Sequence, residues 1–348
     1  MALNFQSILS AYGINNQLEV SPFGTGLIHH TYIVGKQPQF ILQQFNQHVF
    51  KNPSEVYQNV YEANQYLIQN KAPIKLIIQK LTHNKQPFFI SENSYWRLFD
   101  FEKNSFSNTK VVYASQAYQA ANQFGKLTYH LSGIEINKIK HTIPNFHNLE
   151  FRYNQFLQAL KQSKPNNECK TVIEFYKSQS ALLNAYYKIT SDNYLPIRIM
   201  HNDTKISNVL FHEKTNDAIT VVDLDTLMPG YFFNDLGDMI RTYVSTTTEE
   251  SDNSAPVSMN PEYFKALWHG YKDGLQNSLT QNEQNAAQYA GPILIYMIGL
   301  RFITDYLNNN RYFKINYPLH NLSRAINQMQ LLQCYYEHKP QLNDILNA

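Results

Sequence analysis

Cysteine is almost absent: Cys169 and Cys334 are the only two in 348 residues. A disulfide framework or a structural zinc cluster needs more thiols, so both are excluded and a reducing compartment is expected. Charge is sparse too. Charged residues make up 16% of the chain, below the quarter or so usual for soluble domains, and Asn, Gln and 25 Tyr fill much of the gap. The 29 Lys and Arg against 27 Asp and Glu leave a formal net charge of +2. Near balance excludes a polybasic nucleic-acid binder, which needs an excess of cations to displace counterions. It also offers no strongly acidic site for a polycation. Long apolar runs are missing: the best, over 291–300, stops at Arg301, short of the ~18 residues of a membrane span. The first seven residues lack the basic and apolar stretches of a signal peptide. The expectation is a cytoplasmic globular protein with neither nucleic acid nor membrane as partner. Its length fits two domains at roughly 150 residues each, and 43% hydrophobic residues suffice for a sizeable core.

There is no internal repeat, and the Asn and Gln are interleaved with apolar residues as in structured chains. The first hundred residues read as strand-rich. Short β runs lie at 31–34 and 40–45. A helix follows over 53–68, with Pro53 in its first turn and Val56, Val60, Ala63 and Leu67 at helical spacing. Two more strands, 87–90 and 95–101, are joined by a turn. Beyond about residue 104 the pattern turns helical, over 111–131, 149–160 and 171–189. Two short strands at 197–200 and 219–223 interrupt it, and everything from Asp235 onward reads as helix, with long segments at 261–277, 282–308 and 318–336. The change falls at 99–108, which has no Gly or Pro. A strand-rich unit, 1–102, and a helical unit, 103–348, joined by a tight hinge, are the expected organisation of an α+β fold.

The densest polar signal is HNDTKISNVLF at 201–211, followed by ITVVDLD at 219–225. One apolar strand delivers His-x-Asp into a loop, an Asn precedes the next apolar run, and a β-branched strand ends in Asp-x-Asp. Singly, such residues are loop formers and caps. Together, two strand ends joined by a hairpin bring Asp203, Asn208 and Asp223 into one place. Phosphoryl transfer needs these groups: a carboxylate to orient the attacking hydroxyl and take its proton, and hard oxygen ligands for Mg²⁺ on the phosphates. Asp203 is the expected base, Asn208 and Asp223 the expected metal ligands, and Asp225 a further ligand, direct or through water. A zinc site at His201 and Asp203 fails for want of a second His or Cys at ligand spacing; His212 sits elsewhere on the hairpin.

This constellation resembles the catalytic loop and metal-binding Asp of the aminoglycoside/choline kinase-like phosphotransferases, which share the bilobal protein-kinase fold. Further segments are similar to the N-acetylhexosamine 1-kinase branch: GTGLIHHTYIV at 24–34, FILQQFN at 40–46, VFKNP at 49–53, DLDTLMPG at 223–230, DLGDMIR at 235–241, GLRFITDYL at 299–307, RYFK at 311–314 and HNL at 320–322. The resemblance implies a small strand-rich N-lobe, a large helical C-lobe and ATP bound between them with Mg²⁺. It implies transfer of the γ-phosphate to the anomeric hydroxyl of N-acetylglucosamine or N-acetylgalactosamine. By carry-over, Asp203 is the base, Asn208 and Asp223 bind Mg²⁺, and Arg301 and Tyr312 contact the sugar. Gly24, Thr25 and Gly26 form a turn whose backbone covers phosphates.

One place departs from the wider kinase pattern. The strand that elsewhere carries a phosphate-binding Lys has Gln43 and Gln44, neutral amides that can hydrogen-bond a phosphate but add no charge. Without that Lys, Glu55 and Glu62 on the following helix read as solvated. His29 either faces the cleft and touches substrate or lies at the surface. Arg301 and Asp305 stand at i,i+4 and alternatively form a helix ion pair, worth only ~0.3–0.5 kcal/mol. Asp235 and Asp238 are expected to cap and charge a helix N-terminus, with bracing of the catalytic loop as their other use. His201 is expected to brace that loop rather than move the proton. The rival readings are a kinase of choline, ethanolamine, homoserine or another small alcohol, and a catalytically silent kinase-like binding module. An aminoglycoside kinase is disfavoured because the C-terminal half has no acidic run to hold a polycation.

Overall fold

β-Branched and aromatic residues at alternate positions build a five-stranded antiparallel sheet. In the computed structural model, which describes residues 4–24, 28–251 and 256–348, its strands are β1 (Val20–Pro22), β2 (His30–Val34), β3 (Phe40–Phe45), β4 (Phe89–Ser91) and β5 (Ser94–Asp100), in the spatial order β1-β2-β3-β5-β4. The period of two sorts the side chains. Leu42, Trp96 and Leu98 face a buried cluster completed by Ile8, Leu9 and Tyr12 at the helix α1 (Phe5–Ala11), an element missing from the sequence reading. Ile41, Gln43, Arg97 and Phe99 face the opposite way, into a cleft. Between β3 and β4 runs α2 (Pro53–Gln69), with Pro53 at its first turn and Val56, Ala63 and Leu67 buried as expected. Asn59, also buried, donates to the Leu227 and Lys140 carbonyls at 2.9 and 2.7 Å, and its own oxygen accepts from the Lys140 amide. This ties α2 to the chain beside the Asp-x-Asp loop.

The helical remainder contains α3 (Ala114–His130), α4 (Leu149–Gln162), α5 (Asn167–Ser178), α6 (Ala181–Thr190), α7 (Phe232–Tyr243), α8 (Pro261–Gly274), α9 (Gln281–Leu307) and α10 (His320–Asn347). The short strands β6 (Ser105–Phe106), β8 (Val209–His212) and β9 (Ala218–Val221) form one small sheet; β7 (Arg198–Met200) and β10 (Met228–Gly230) pair as another. The architecture is α+β, with an antiparallel sheet region at the N-terminal end and a helical region after it.

The structure corrects several expected elements. The helix expected over 171–189 is two helices. The Tyr296 hydroxyl donates to the Tyr176 carbonyl at 2.8 Å, the acceptor that the Ser180 amide would use in a continuous helix, and Ser180 bonds Lys177 instead. The last helix runs on through Pro340 to Asn347, where Leu342 is fully buried. The chain after Asp235 is not all helix: an antiparallel bridge joins Ser245 to Met259 between α7 and α8. Finally, α9 is long and apolar enough to cross a bilayer by length and composition, but 83% of its most apolar window is buried within the fold.

Helices α3 and α8 approach closely because Gly125, Gly270 and Gly274 line their crossing. A Cβ on Gly270 would overlap the Tyr118 carbonyl, a backbone group that cannot swing away. Gly270→Ala is therefore expected to destabilise the protein by about 1–3 kcal/mol through overpacking, read as a lower urea midpoint with an unchanged m-value.

Candidate active site

Two buried carboxylates at the start of α7 fix the loop after β7. Asp235 accepts the His201 amide at Oδ2 (3.0 Å) and the Asn202 amide at Oδ1 (2.7 Å). Asp238 accepts the Thr204 amide at 2.8 Å while paired with Arg241. Asp235 also lies in the first turn of α7 as expected, although the N-cap itself is Tyr231. Asn202 sits at φ +64°, a conformation that Asn tolerates better than most residues. Its amide donates to the Met200 and Thr226 carbonyls and its oxygen accepts from Asn234. His201 is buried, accepts the Asp203 amide at Nδ1 and donates from Nε2 to the Val222 carbonyl at 3.0 Å. Burial lowers its pKa. It braces the loop, with both ring nitrogens committed.

This scaffold presents Asp203. Its Oδ2 accepts from Lys205 Nζ and Asn208 Nδ2, each at 2.9 Å, and its Oδ1 takes no hydrogen bond from the described residues. Burial pushes the carboxyl up, but Lys205, then His201 and Asn208, more than offset this and hold it below the ordinary carboxylate value. Asp203 is thus ionised at neutral pH with one oxygen free. The β8–β9 pairing continues past its strand end, where the Val222 amide donates to the Asn208 carbonyl at 2.9 Å, and this sets Asp223 next to Asn208. Asp223 is left-handed at φ +62°. Its carboxylate is open to the cleft yet deep enough that lost hydration, and after it the Asp225 charge, raises its pKa. A cation would relieve that repulsion. The Asn208 amide nitrogen is spent on Asp203, leaving its oxygen free. Asp223 and Asn208 together offer the hard-oxygen donor set that suits Mg²⁺.

Asp225, expected as a further metal ligand, is held by two side chains of the sheet region. Arg97 grips it bidentately, Nη1 to Oδ1 at 2.6 Å and Nη2 to Oδ2 at 2.8 Å, and His29 Nε2 reaches Oδ2 at 2.7 Å. Although burial acts upward, Arg97 and then His29 hold this carboxyl far below its usual range. His29, Asp223 and Asp225 do bring potential ligand atoms within 4.8 Å of one another, but both oxygens of Asp225 are already engaged. His29 is likewise not free to touch an acceptor. It is buried, stacks on Phe45 and Phe50, and accepts the Asn46 amide at Nδ1.

Between the sheet and the hairpin lies a cavity of about 300 Å³, lined by Ile41, Gln43, Arg97, Phe99, Asn208 and Asp223 among others. Gln43 faces it. Gln44 points to the other side of β3 and donates to Ser94, so of the two expected phosphate contacts only Gln43 lines the cleft. Gly24 takes the left-handed φ of +73° expected of a tight turn; Thr25 and Gly26 lie outside the described residues.

A second cavity, of about 470 Å³, is lined by Arg152, Arg301, Thr304, Asp305, Arg311 and Tyr312 among others. Arg301 and Tyr312 come together here, the guanidinium 5.6 Å from the ring centroid and also over Phe146 and Phe313. The alternative Arg301–Asp305 ion pair is not formed. Asp305 instead accepts the Tyr312 and Phe313 amides at 2.8 and 2.9 Å and the Asn321 side chain, which folds residues 308–319 back over α9. His147 stacks on Phe146, and its imidazole, pushed down to about 3 by burial and then by Arg301 and Arg152, also feels Asp203. The sequence reading missed Lys205, Arg97, Arg152 and His147. Only Lys205, two positions from Asp203, carried a local signal.

Residues 19–277 match the phosphotransferase enzyme family. The chain belongs to that family. Solved structures share the fold at low identity. An aminoglycoside phosphotransferase from Alicyclobacillus acidocaldarius is 11% identical, with a TM-score of 0.63 over 100% of this chain and 97% of that one. A microcompartment-associated aminopropanol kinase is 13% identical, TM-score 0.65, over 96% and 97%. A choline kinase from Cryptosporidium parvum is 14% identical, TM-score 0.57, over 99% of each. The kinase-like fold expected from the sequence is thereby shown, and a small-molecule phosphotransferase with a hydroxyl acceptor is the activity the family supports.

Asp203→Asn removes the free anionic oxygen while keeping an acceptor for Lys205 and Asn208's loop in place. The variant is expected to fold and to lose at least ~10²-fold in kcat. Because the folded pKa of Asp203 is lowered, wild-type kcat should hold through neutral pH and fall only on acidification below the ordinary carboxylate range. A steady-state pH profile of both proteins checks this.

Proposed function

We propose that this protein is an ATP- and Mg²⁺-dependent sugar kinase that phosphorylates the anomeric hydroxyl of an N-acetylhexosamine, N-acetylglucosamine or N-acetylgalactosamine, to give the sugar 1-phosphate. The observation that carries the acceptor class is the charge of the second cavity. Arg152, Arg301 and Arg311 line it, and its one carboxylate, Asp305, is occupied by two backbone amides and Asn321. Choline, aminopropanol and the aminoglycosides, which name the similar structures, all carry positive charge that three guanidinium groups would repel. A neutral acceptor rich in oxygen atoms suits the cavity. Gln155, Thr304 and Asn308 also line it, side chains whose polar atoms hydrogen-bond neutral oxygen-rich partners. Sugar hydroxyls and an acetamido carbonyl supply such partners.

The chemistry follows from the Asp203 environment. The ring oxygen withdraws electron density from C1, which makes the anomeric hydroxyl the most acidic on a free sugar. A depressed carboxylate is a weak base that suits such a nucleophile, and His201 has no nitrogen left to help. Asp203 Oδ1 orients the hydroxyl and receives its proton as the oxygen–phosphorus bond forms and the bond to the ADP oxygen breaks. Positioning carries most of the catalysis in reactions of this type. Mg²⁺ held at Asn208 and Asp223 would neutralise the phosphate charge.

Arg301→Ala should raise KM for the sugar roughly 10- to 100-fold, the loss expected of a charge-assisted hydrogen bond, and leave KM for ATP nearly unchanged. Coupled ADP release should be fast with both N-acetylhexosamines and slow with choline, aminopropanol and an aminoglycoside. Faster turnover of the cationic acceptors would replace the sugar assignment.

A further inference from the structure

We propose that Arg97 is the residue that binds the nucleotide phosphates in the first cavity, with Asp225 and Gln43 holding its guanidinium in position. This deepens the ATP-dependent reading above. Among the described residues lining that cavity, Arg97 is the single cation, against the acidic Asp100, Glu102, Asp223 and Asp225. Lys80 pairs with Asp100 and Lys75 with Glu102 from outside that lining, so among the lining groups Arg97 is the cation placed to meet a polyphosphate. Arg97 lies on β5 directly opposite Gln43. Its Nε donates to Gln43 Oε1 at 2.9 Å, and Gln43 in turn donates to Thr31. Its Nη1 and Nη2 grip Asp225.

The side chain is locked before any ligand arrives. It is 4% exposed, and its guanidinium lies 4.9 Å from the Phe45 ring centroid and 5.1 Å from that of Phe99. A guanidinium has five N–H donors. Three are spent on Gln43 and Asp225, so one remains on each terminal nitrogen for an anion. Gln43 is neutral, which spares Arg97 a like charge directly across the strand pair. The same side chain that meets the nucleotide also grips the residue two positions beyond Asp223, so the sheet and the metal-binding loop are set together.

The rival role is a strut that merely joins the sheet to the loop. Titration calorimetry with MgADP and with adenosine separates the two. Arg97→Met alone leaves Asp225 buried and unpaired and is expected to destabilise the protein, so Arg97→Met is combined with Asp225→Asn, which removes the stranded charge. In the folded double variant, confirmed by its thermal midpoint, MgADP should bind about 10- to 100-fold more weakly than in wild type. Adenosine, which has no phosphate, should bind as before. Adding Gln43→Lys to the double variant should recover part of the MgADP affinity by restoring a cation to the same face. Wild-type MgADP affinity in the double variant, or parallel losses for MgADP and adenosine, overturns the proposal and leaves the kinase reading intact. Wild-type protein that fails to bind MgADP at all removes both.

Discussion

The site depends on two carboxylates buried at the head of α7. A loop between β7 and β8 that must present Asp203 to solvent leaves backbone amides without strand partners, and such amides are costly when buried. Asp235 takes two of them and Asp238 a third. Burial pushes the Asp235 carboxyl up to about 7, against the pull of the two amides, so the brace itself stores unfavourable charge. A folded-state value above the unfolded one means that the penalty grows as pH rises through the range between them. The protein tolerates it because the same contacts set His201, Asp203 and Asn208 in one fixed arrangement.

A second constraint crosses the cleft. Arg97 and His29 belong to the sheet region, and Asp225 to the loop after β9. Their contacts are short and almost dry. Removing one partner of such a group leaves a buried charge uncompensated, which costs far more than the intact pair contributes. Besides holding the Arg97 guanidinium in place, the cluster fixes where Asp223 stands relative to the sheet.

Much of this was legible in the sequence. The strands at 31–34 and 40–45, α2, and the gathering of Asp203, Asn208 and Asp223 by a hairpin all follow from period-two and period-3.6 patterns with apolar strands around polar ends. Arg301 and Tyr312 were paired by resemblance, and they do share a cavity wall. What escaped was set by contacts distant in sequence. Arg97 sits inside a strand pattern, where nothing local distinguishes a cleft-facing cation from a solvated one, and its partner is 128 residues away. His29 and Asp225 meet across 196 residues, a pairing that no local pattern announces. The break after Ser178 depends on a hydroxyl from α9, and the exact face of β3 decided between Gln43 and Gln44.

The proposed reaction transfers phosphate to C1 of an oxygen-rich, uncharged sugar, with a carboxylate as base. Turnover of ¹³C-labelled N-acetylglucosamine with ATP, followed by phosphorus–carbon coupling in the product, tests it directly. Coupling of the phosphorus to C1 and C2 in a non-reducing, acid-labile product is the predicted result. Coupling to C6, or equal turnover of the methyl glycoside, would contradict it.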